Sequence, residues 1–475
     1  MKTGDVLAVT IAELAFGGQA VAKVETEQGQ FIIFVQDALP EQQVEVRIIK
    51  KKKNYAEAKL LRVLQRSPQE LEIPYQRIAG APFARLPIAE QINYKKSSTL
   101  EMFRRLSGLE ILPLYDEYVA SPNVWHYRNK MEYSFSTLIA ELETGEEAVG
   151  FALGFKKKGQ WWSVEQLDGD SGLFDAEWEA NLYQIRNFCE KTGLPAWNPA
   201  KSEGFFRFLC VRKSVCDDEI LINLITTSSE LERFDKNGFI ELIKSILGKR
   251  LAGILHTIND EIGDTGRQDL QKISVWIGKD KIQERILGLR FNISMQSFFQ
   301  TNPACAELLY QKAMEYVDIA LSNPNVSPVA MDLFCGTGTI AQLLTRSAKV
   351  QQVVGVDIIA QAIADAQQNA KENGRTNIKF YAADVGKFLS EQPQYKNKIG
   401  VVVLDPPRAG IAPKTLLKVI ALQAAAIVYV SCNPSTQARD VATLGQAGYI
   451  LAKYSLVDQF PHTSHIESVA LLLKK

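Results

Sequence analysis

Cys432 stands where a β-type run ends and a helix-start pattern begins. The run Ile427-Val428-Tyr429-Val430 stops at Ser431-Cys432-Asn433-Pro434, and Ala438 to Leu444 can continue a helix from there. Asn433 suits a cap and Pro434 a first helical position. In open α/β sheets the carboxyl end of a strand is where ligands bind. A thiolate displayed there is a nucleophile. A cysteine is also one of the commonest buried residue types, so its role depends on the groups assembled around it.

Carboxylates recur at the same kind of position. Asp332-Leu333-Phe334-Cys335-Gly336-Thr337-Gly338-Thr339 follows an apolar run. Its glycines allow close backbone approach and a tight helix start. The next apolar run ends in Asp357, placed to accept from ribose hydroxyls. A third ends in Ala382-Ala383-Asp384, where a carboxylate can read an adenine amino group, and a fourth in Asp405-Pro406-Pro407-Arg408. Gly336-x-Gly338-x-x-Ala341 also fits the dinucleotide fingerprint, which brings in a NAD(P) enzyme. Four strand-end acids favour S-adenosylmethionine instead, because that molecule carries a sulfonium cation and no phosphate. The Asp-Pro-Pro turn suggests amine methylation, but Arg408 follows where an aromatic would be needed. Carbon methylation remains, and it needs a covalent nucleophile such as Cys432.

Near the end lies Phe460-Pro461-His462-Thr463-Ser464-His465-Ile466-Glu467. Two histidines and a carboxylate could hold a metal, but no third histidine lies nearby. Glu467 as general base is the better reading.

The elements that must position these groups follow a regular pattern. From about residue 328, strands Val329 to Leu333, Val353 to Val356, Ile378 to Ala382, Val401 to Leu404 and Ile427 to Val430 alternate with helices, as in a parallel sheet. Ile450 to Val457 and Ser468 to Leu473 have no helix between them and read as an antiparallel pair closing one sheet edge. The expected fold class is therefore α/β, with a Rossmann-like C-terminal domain. At the other end, five short strands within residues 1–66 suit a small OB-like barrel. They are Val6 to Leu14, Ala20 to Glu25, Phe31 to Val35, Val44 to Lys50 and Ala56 to Leu64. Lys50-Lys51-Lys52-Lys53, beside Tyr55, fall between the last two; such a run is either a solvated tip or a phosphate contact. The middle is α+β. A helix is expected from Glu90 to Leu106. Tyr127-Arg128-Asn129-Lys130 and Lys156-Lys157-Lys158-Gly159 with Trp161-Trp162 interleave aromatic and basic residues, as RNA-stacking surfaces do.

A chain of 475 residues holds several domains. Its 54 basic and 54 acidic residues balance, so any nucleic-acid contact must be a local patch. Six cysteines, at 189, 210, 216, 305, 335 and 432, form no CxxC, which points to free thiols in a reducing compartment. No apolar signal core or bilayer-spanning run is read, and a soluble cytoplasmic protein is expected.

With these residues assembled, the chain resembles the uridine-C5 RNA methyltransferases that act on 23S ribosomal RNA and tRNA. SFFQTNP at 297–303, DLFCGTGT at 332–339, LDPPRAG at 404–410, SCNPSTQARD and FPHTSHIES carry the resemblance. Residues 1–66 likewise resemble a TRAM domain. The resemblance implies Cys432 as nucleophile and Glu467 as base. It implies Gln300, Phe334, Asp357 and Asp405, with Gly336, Gly338, Thr339 and Asp384, for S-adenosylmethionine. Lys51, Lys52, Lys53, Arg128 and Phe299 are expected at RNA, with Phe298 or Phe299 stacking on the target base. Arg408 and Arg439 are the candidate cations to favour a thiolate. Many relatives carry a four-iron, four-sulfur cluster on CxxxxxCxxC; the matching stretch LEIPYQRIAGAPFARLPIAEQINYKK has no cysteine, so no cluster and no metal are expected. The expected divisions are 1–66, 67–290 and 291–475, in a monomer that binds RNA, rRNA before tRNA, and no membrane.

Overall fold

The computed structural model describes residues 1–26, 29–140, 147–157, 159–262 and 272–475. Lys158 of the expected basic hairpin lies outside the described residues.

Strands Val6–Leu14, Ala20–Thr26, Gly29–Val35, Gln43–Lys51 and Tyr55–Gln65 close into a barrel. Period-two alternation builds it: Val44, Val46 and Ile48 point inward and are buried, while Arg47 and Ile49 point out. Phe83 and Leu86, from the following loop, join the barrel core.

A long helix, Ile88–Ser107, follows and ends at Gly108 in the left-handed conformation, φ 71°. It packs Leu100 and Phe103 into the C-terminal core, with the Phe103 and Tyr454 rings 4.4 Å apart. Strand Tyr115–Val119 then pairs in parallel with Tyr449–Val457. Residues 88–119 thus serve the C-terminal sheet, although they fall within the central segment expected from sequence.

The central domain is a seven-stranded sheet in the order Ile273–Gly278, Leu251–Ile258, Ile220–Thr226, Phe206–Lys213, Lys130–Ala140, Glu147–Lys157, Gln160–Gln166. Helices Leu182–Lys191 and Lys236–Leu247 contribute Ile185, Cys189, Phe239 and Ile243 to its core.

The C-terminal sheet has eight strands in the order Ile378–Ala382, Gln352–Asp357, Val329–Leu333, Val401–Leu404, Ala426–Ser431, Glu467–Lys474, Tyr449–Val457, Tyr115–Val119. The first five are parallel, and their residues are nearly all buried in the middle three. The last hairpin enters antiparallel beside Ala426–Ser431. The sequence led to the expectation that this pair closes the sheet edge; instead Tyr115–Val119 covers it and forms that edge. That short strand is half exposed and carries no strong strand signal of its own. Among the described residues no helix is long and apolar enough to cross a membrane.

Candidate active site

Strand Ala426–Ser431 ends one residue before Cys432, and helix Pro434–Gln446 begins two residues after it. The turn is held locally. Asn433 N–H donates to Ser431 Oγ at 3.1 Å, and Asn433 Oδ1 caps the helix by accepting from Ser435 N–H at 3.2 Å. Asn433 Nδ2 donates to the Arg408 carbonyl at 2.9 Å, which ties the thiol turn to the Asp-Pro-Pro-Arg turn. Ser468 Oγ donates to Gln437 Oε1 at 2.8 Å, binding the last strand to the same helix.

Register places the second group. Ser431 pairs with Ser468 in antiparallel alignment. The next position outward sets Cys432 beside Glu467, because antiparallel partners advance in opposite directions. Glu467 is 2% exposed, while Cys432 is half-buried. Burial, then the Asp405 charge, pushes the Glu467 carboxyl up to about 8, against the opposing pull of Arg408. Burial pushes the Cys432 thiol up to about 11, helped by Glu467 and Asp405 and opposed by Arg408. The expected thiolate-favouring surroundings are therefore not met: burial and then two carboxylates outweigh one exposed guanidinium. Arg439 is not that cation either, since its Nε and Nη2 are engaged by Asp440 Oδ1 at 2.9 and 2.8 Å.

The glycine turn lies beside these groups at the end of Val329–Leu333. Phe334 and Gly336 take positive φ, 69° and 52°, and Gly336 N–H donates to Asp357 Oδ2 at 3.0 Å. A Cβ on Gly336 would meet nothing within 4 Å, so the turn opens onto free space. Gly338, at φ 78°, instead faces Phe380 and Ala366, where a Cβ would come within 2.8 and 2.9 Å. Asp357 Oδ1 accepts from Ile359 N–H at 2.8 Å, and Ile358 and Ile359 are 67% and 59% exposed. An open glycine turn, a strand-end carboxylate and an exposed apolar pair fit an adenosine-bearing cation. Burial raises the Asp405 carboxyl to about 7.

The remaining expected residues divide. Gln300 is buried near the site, with Gln459 Nε2 donating to its Oε1 at 3.4 Å, and Thr339 opens the helix after the glycine turn. Asp332 is wholly buried beneath the turn. Asp384 is exposed and caps Val385–Glu391 by accepting from Lys387 N–H at 2.8 Å. Phe299 cannot stack on a base: it is 6% exposed, packed near Phe291, whereas Phe298 is 73% exposed. Asn129, next to Arg128, donates through Nδ2 to the Gln300 carbonyl at 3.1 Å, so the Tyr127-Arg128-Asn129-Lys130 stretch adjoins this loop. Lys51, Lys52 and Lys53 lie at the barrel tip, all exposed.

His462 is structural. It stacks on Trp125 with ring centroids 3.6 Å apart, and burial drives its ring down to about 4. Lys95, on the long helix, forms a buried ion pair with Asp458 at 2.6 Å and donates to the Phe460 carbonyl at 2.9 Å. Lys95, Gln91 and Trp125, which brace the loop before Glu467, were missed from sequence because their partners lie hundreds of residues away. Ile358 and Ile359 did leave a signal: an apolar pair directly after a strand-ending acid.

A parallel sheet with a terminal antiparallel hairpin, an open glycine turn and strand-end acids defines the S-adenosylmethionine-dependent methyltransferases, and a barrel is fused to it. The comparisons agree. Residues 250–475 match the tRNA (uracil-5-)-methyltransferase family model and residues 1–61 the TRAM domain. An RNA methyltransferase of Clostridium tetani is 35% identical over 481 residues, covering 100% of this chain and 99% of its own. One of Caldanaerobacter subterraneus subsp. tengcongensis is 35% identical over 480 residues, covering all of both chains, 100% and 100%. The structure of Pyrococcus abyssi tRNA (uracil-54, C5)-methyltransferase in complex with S-adenosyl-L-homocysteine superposes with a TM-score of 0.73 at 25% identity, over 98% of this chain and 100% of that one. The chain belongs to this family of S-adenosylmethionine-dependent RNA methyltransferases.

Proposed function

We propose that the protein methylates carbon 5 of uridine in RNA through a covalent adduct between Cys432 and carbon 6 of the base. The observation that carries this reading is the register that sets a half-buried thiol beside a buried carboxylate at two adjoining strand ends. Carbon 5 of uracil is a poor nucleophile. Addition of the Cys432 sulfur to carbon 6 makes the base an enolate, whose carbon 5 forms the new bond to methyl. S-adenosylmethionine, when bound, would supply the electrophilic methyl, the electron pair of the broken sulfur–methyl bond staying on a neutral thioether, and a positive charge among these carboxylates. Glu467 takes the carbon-5 proton, the carbon 5–carbon 6 double bond re-forms, and the Cys432 thiolate leaves. The proton passes from Glu467 to water.

Glu467 is suited to this by burial. With its carboxyl pushed up to about 8 it must first lose a proton at neutral pH, but once ionised it is a stronger base than a solvated carboxylate. The thiol must lose its own proton first, and Arg408 is the cation on this chain that favours the charged sulfur. Gln300, Phe334, Gly336, Gly338, Thr339, Asp357 and Asp405 would hold the cofactor, with Asp384 at the rim. Phe298, being exposed, is the ring available to stack on an extruded base. Arg128 would contact RNA beside it.

The substrate we propose is 23S ribosomal RNA, favoured by the TRAM-like barrel, for a monomeric enzyme in the cytoplasm. The Pyrococcus protein acts on tRNA, so tRNA is the second arm of the test. Purified protein would be given labelled S-adenosylmethionine with unmodified 23S ribosomal RNA and, separately, tRNA. 5-Methyluridine in the first supports the proposal in full. 5-Methyluridine only in tRNA corrects the substrate. 5-Methylcytidine, or no methylated nucleoside in either, overturns the uridine reading.

A further inference from the structure

Phe298 is out of place for its type. A phenyl ring gains by leaving water. Its neighbours Met295 and Phe299 are buried and join the core cluster under the strands of Cys432 and Glu467, with Val430 and Val469. Phe298, between them, stays exposed. The backbone must therefore be held so that this ring cannot turn inward.

The grip comes from the central sheet. Its strands Phe206–Lys213 and Lys130–Ala140 set Arg212 directly opposite Lys130, which puts Asn129 next to the same pair. Arg212 Nη1 donates to the Ser294 carbonyl at 2.9 Å and Nη2 to the Ser297 carbonyl at 2.8 Å. Asn129 Nδ2 donates to the Gln300 carbonyl at 3.1 Å, and Asn129 N–H to the Thr301 carbonyl at 2.8 Å. Two carbonyls are held on each side of Phe298-Phe299. The first two belong to a turn that is also closed on itself. Ser294 N–H donates to Ser297 Oγ and Ser297 N–H to Ser294 Oγ, both at 3.2 Å, and the two hydroxyls are 2.8 Å apart.

A guanidinium is an unfavourable group to bury. Arg212 is 2% exposed, and among the described residues its hydrogen-bond partners are these carbonyls and no carboxylate. Burial lowers it to about 10, which leaves it charged at neutral pH. An apolar side chain of similar size would fill the space without that desolvation. It could not donate from two nitrogens of one rigid plane to two carbonyls three residues apart. The residue type is therefore explained by the loop it holds and not by the core it fills.

We propose that Arg212 is a positioning residue for methyl transfer: by fixing the Ser294 and Ser297 carbonyls it keeps Phe298 out of the core, aimed to stack on the extruded base. This role depends on the uridine reading given above, in which Phe298 is the stacking ring. Asn129 holds the far side of the loop, so Gln300 keeps its place without Arg212.

The test compares the full-length protein with Phe298→Ala, Arg212→Met and the double variant. Methyl transfer to unmodified 23S ribosomal RNA or tRNA and calorimetric binding of S-adenosylmethionine are measured for each. Stacking of a base on an aromatic ring is worth roughly tenfold, and each single variant should lose about that much kcat/KM for RNA. The double variant should lose no more than Phe298→Ala, within about twofold. S-adenosylmethionine affinity should hold in all three. Losses that multiply to roughly a hundredfold would place the action of Arg212 elsewhere and overturn the proposal, as would an Arg212→Met enzyme of wild-type activity. Thermal melting checks folding. Should Arg212→Met not fold, Arg212→Lys, which keeps the charge without the fork, carries the same comparison with a smaller loss expected. A further readout needs no chemistry. Chymotrypsin cuts after exposed aromatic residues, and cleavage after Phe298, identified by fragment mass, should be at least about tenfold faster once the clamp is released. An unchanged rate would overturn the clamp. Wild-type protein that makes no 5-methyluridine would sink the stacking reading, and the cleavage rate would still uphold or overturn the hold of Arg212 on the loop.

Discussion

Gln91 and His462 are 371 positions apart and meet twice: His462 N–H donates to Gln91 Oε1 at 2.8 Å, and Gln91 Nε2 lies 3.0 Å from the ring Nδ1. The same amide donates to the Phe83 and Leu86 carbonyls at 3.0 and 2.8 Å. One buried side chain therefore joins the barrel's closing loop, the long helix and the loop before Glu467. Gln91→Leu leaves those buried carbonyls without a donor, at a cost of about 1–3 kcal/mol. The expected outcome is a lower melting temperature and a reduced kcat, with S-adenosylmethionine affinity retained. Lost cofactor affinity in a folded variant would refute a role confined to this loop.

Cys432→Ala removes the proposed nucleophile and leaves the glycine turn, Asp357 and Asp405 in place. Methyl transfer should fall to background while calorimetry still detects S-adenosylmethionine binding. RNA carrying 5-fluorouridine should form a covalent species with the wild type and none with the variant. An adduct that survives the substitution would assign the nucleophile elsewhere.

If Glu467 is the base that the proposed mechanism makes it, Glu467→Gln should block removal of the carbon-5 proton, so that RNA stays bonded to Cys432 and appears as a slow-migrating band on denaturing gels. Stability should move as well. The carboxyl rises from 4.5 to about 8 in the folded protein. The folded state thus binds the extra proton, and stability is lost as pH climbs from about 4.5 to about 8. Removing that dependence should raise the melting point at pH 8 by roughly 3 °C or more, with little change at pH 4. Melting curves that shift equally at both values would contradict the burial argument.

Arg408→Ala removes the cation that opposes Asp405 and Glu467 at Cys432. Alkylation of Cys432 by iodoacetamide, followed by peptide mass, should show an ionisation midpoint near 11 in the wild type and a higher one in the variant. An unchanged midpoint would show that the guanidinium does not reach the sulfur.

Gly338→Ala forces a side chain into a left-handed position against Phe380 and Ala366. Strain of this kind costs on the order of 1–3 kcal/mol. S-adenosylmethionine binding should weaken together with stability, whereas Gly336→Ala, which meets only open space, should weaken cofactor binding more than folding.

The setting of the candidate groups was legible because it is local. Strand, turn, cap and proline follow one another within a dozen residues around Cys432, and the same punctuation surrounds Asp357 and Asp405. What could not be read depends on packing. Phe298 and Phe299 are adjacent and identical, and only tertiary packing decides which is buried: Phe299 joins the core cluster that includes Phe291. The Cys432 thiol lies high because of its burial and then of the Glu467 and Asp405 carboxylates, which no spacing reveals. Lys95 finds Asp458 across 363 positions, so neither carries a periodic signal for the other. The edge strand Tyr115–Val119 is short and half exposed, and its partner is formed at the far end of the chain.

That edge strand has a consequence for biosynthesis. Tyr118 aligns with Leu456, which leaves the ribosome some 338 residues later (456 − 118). At about 5–20 residues per second, the wait is roughly 17–70 s. The barrel and the central sheet can each close during that time from their own strands, but the catalytic sheet cannot. Its edge strand Tyr115–Val119 is made first, and the hairpin that joins that strand to the rest of the sheet is made last. The nascent protein can therefore fold its barrel and central sheet before it can complete its methyltransferase sheet, and a chain arrested before Tyr449 would lack both strands of the terminal hairpin and Glu467 with them.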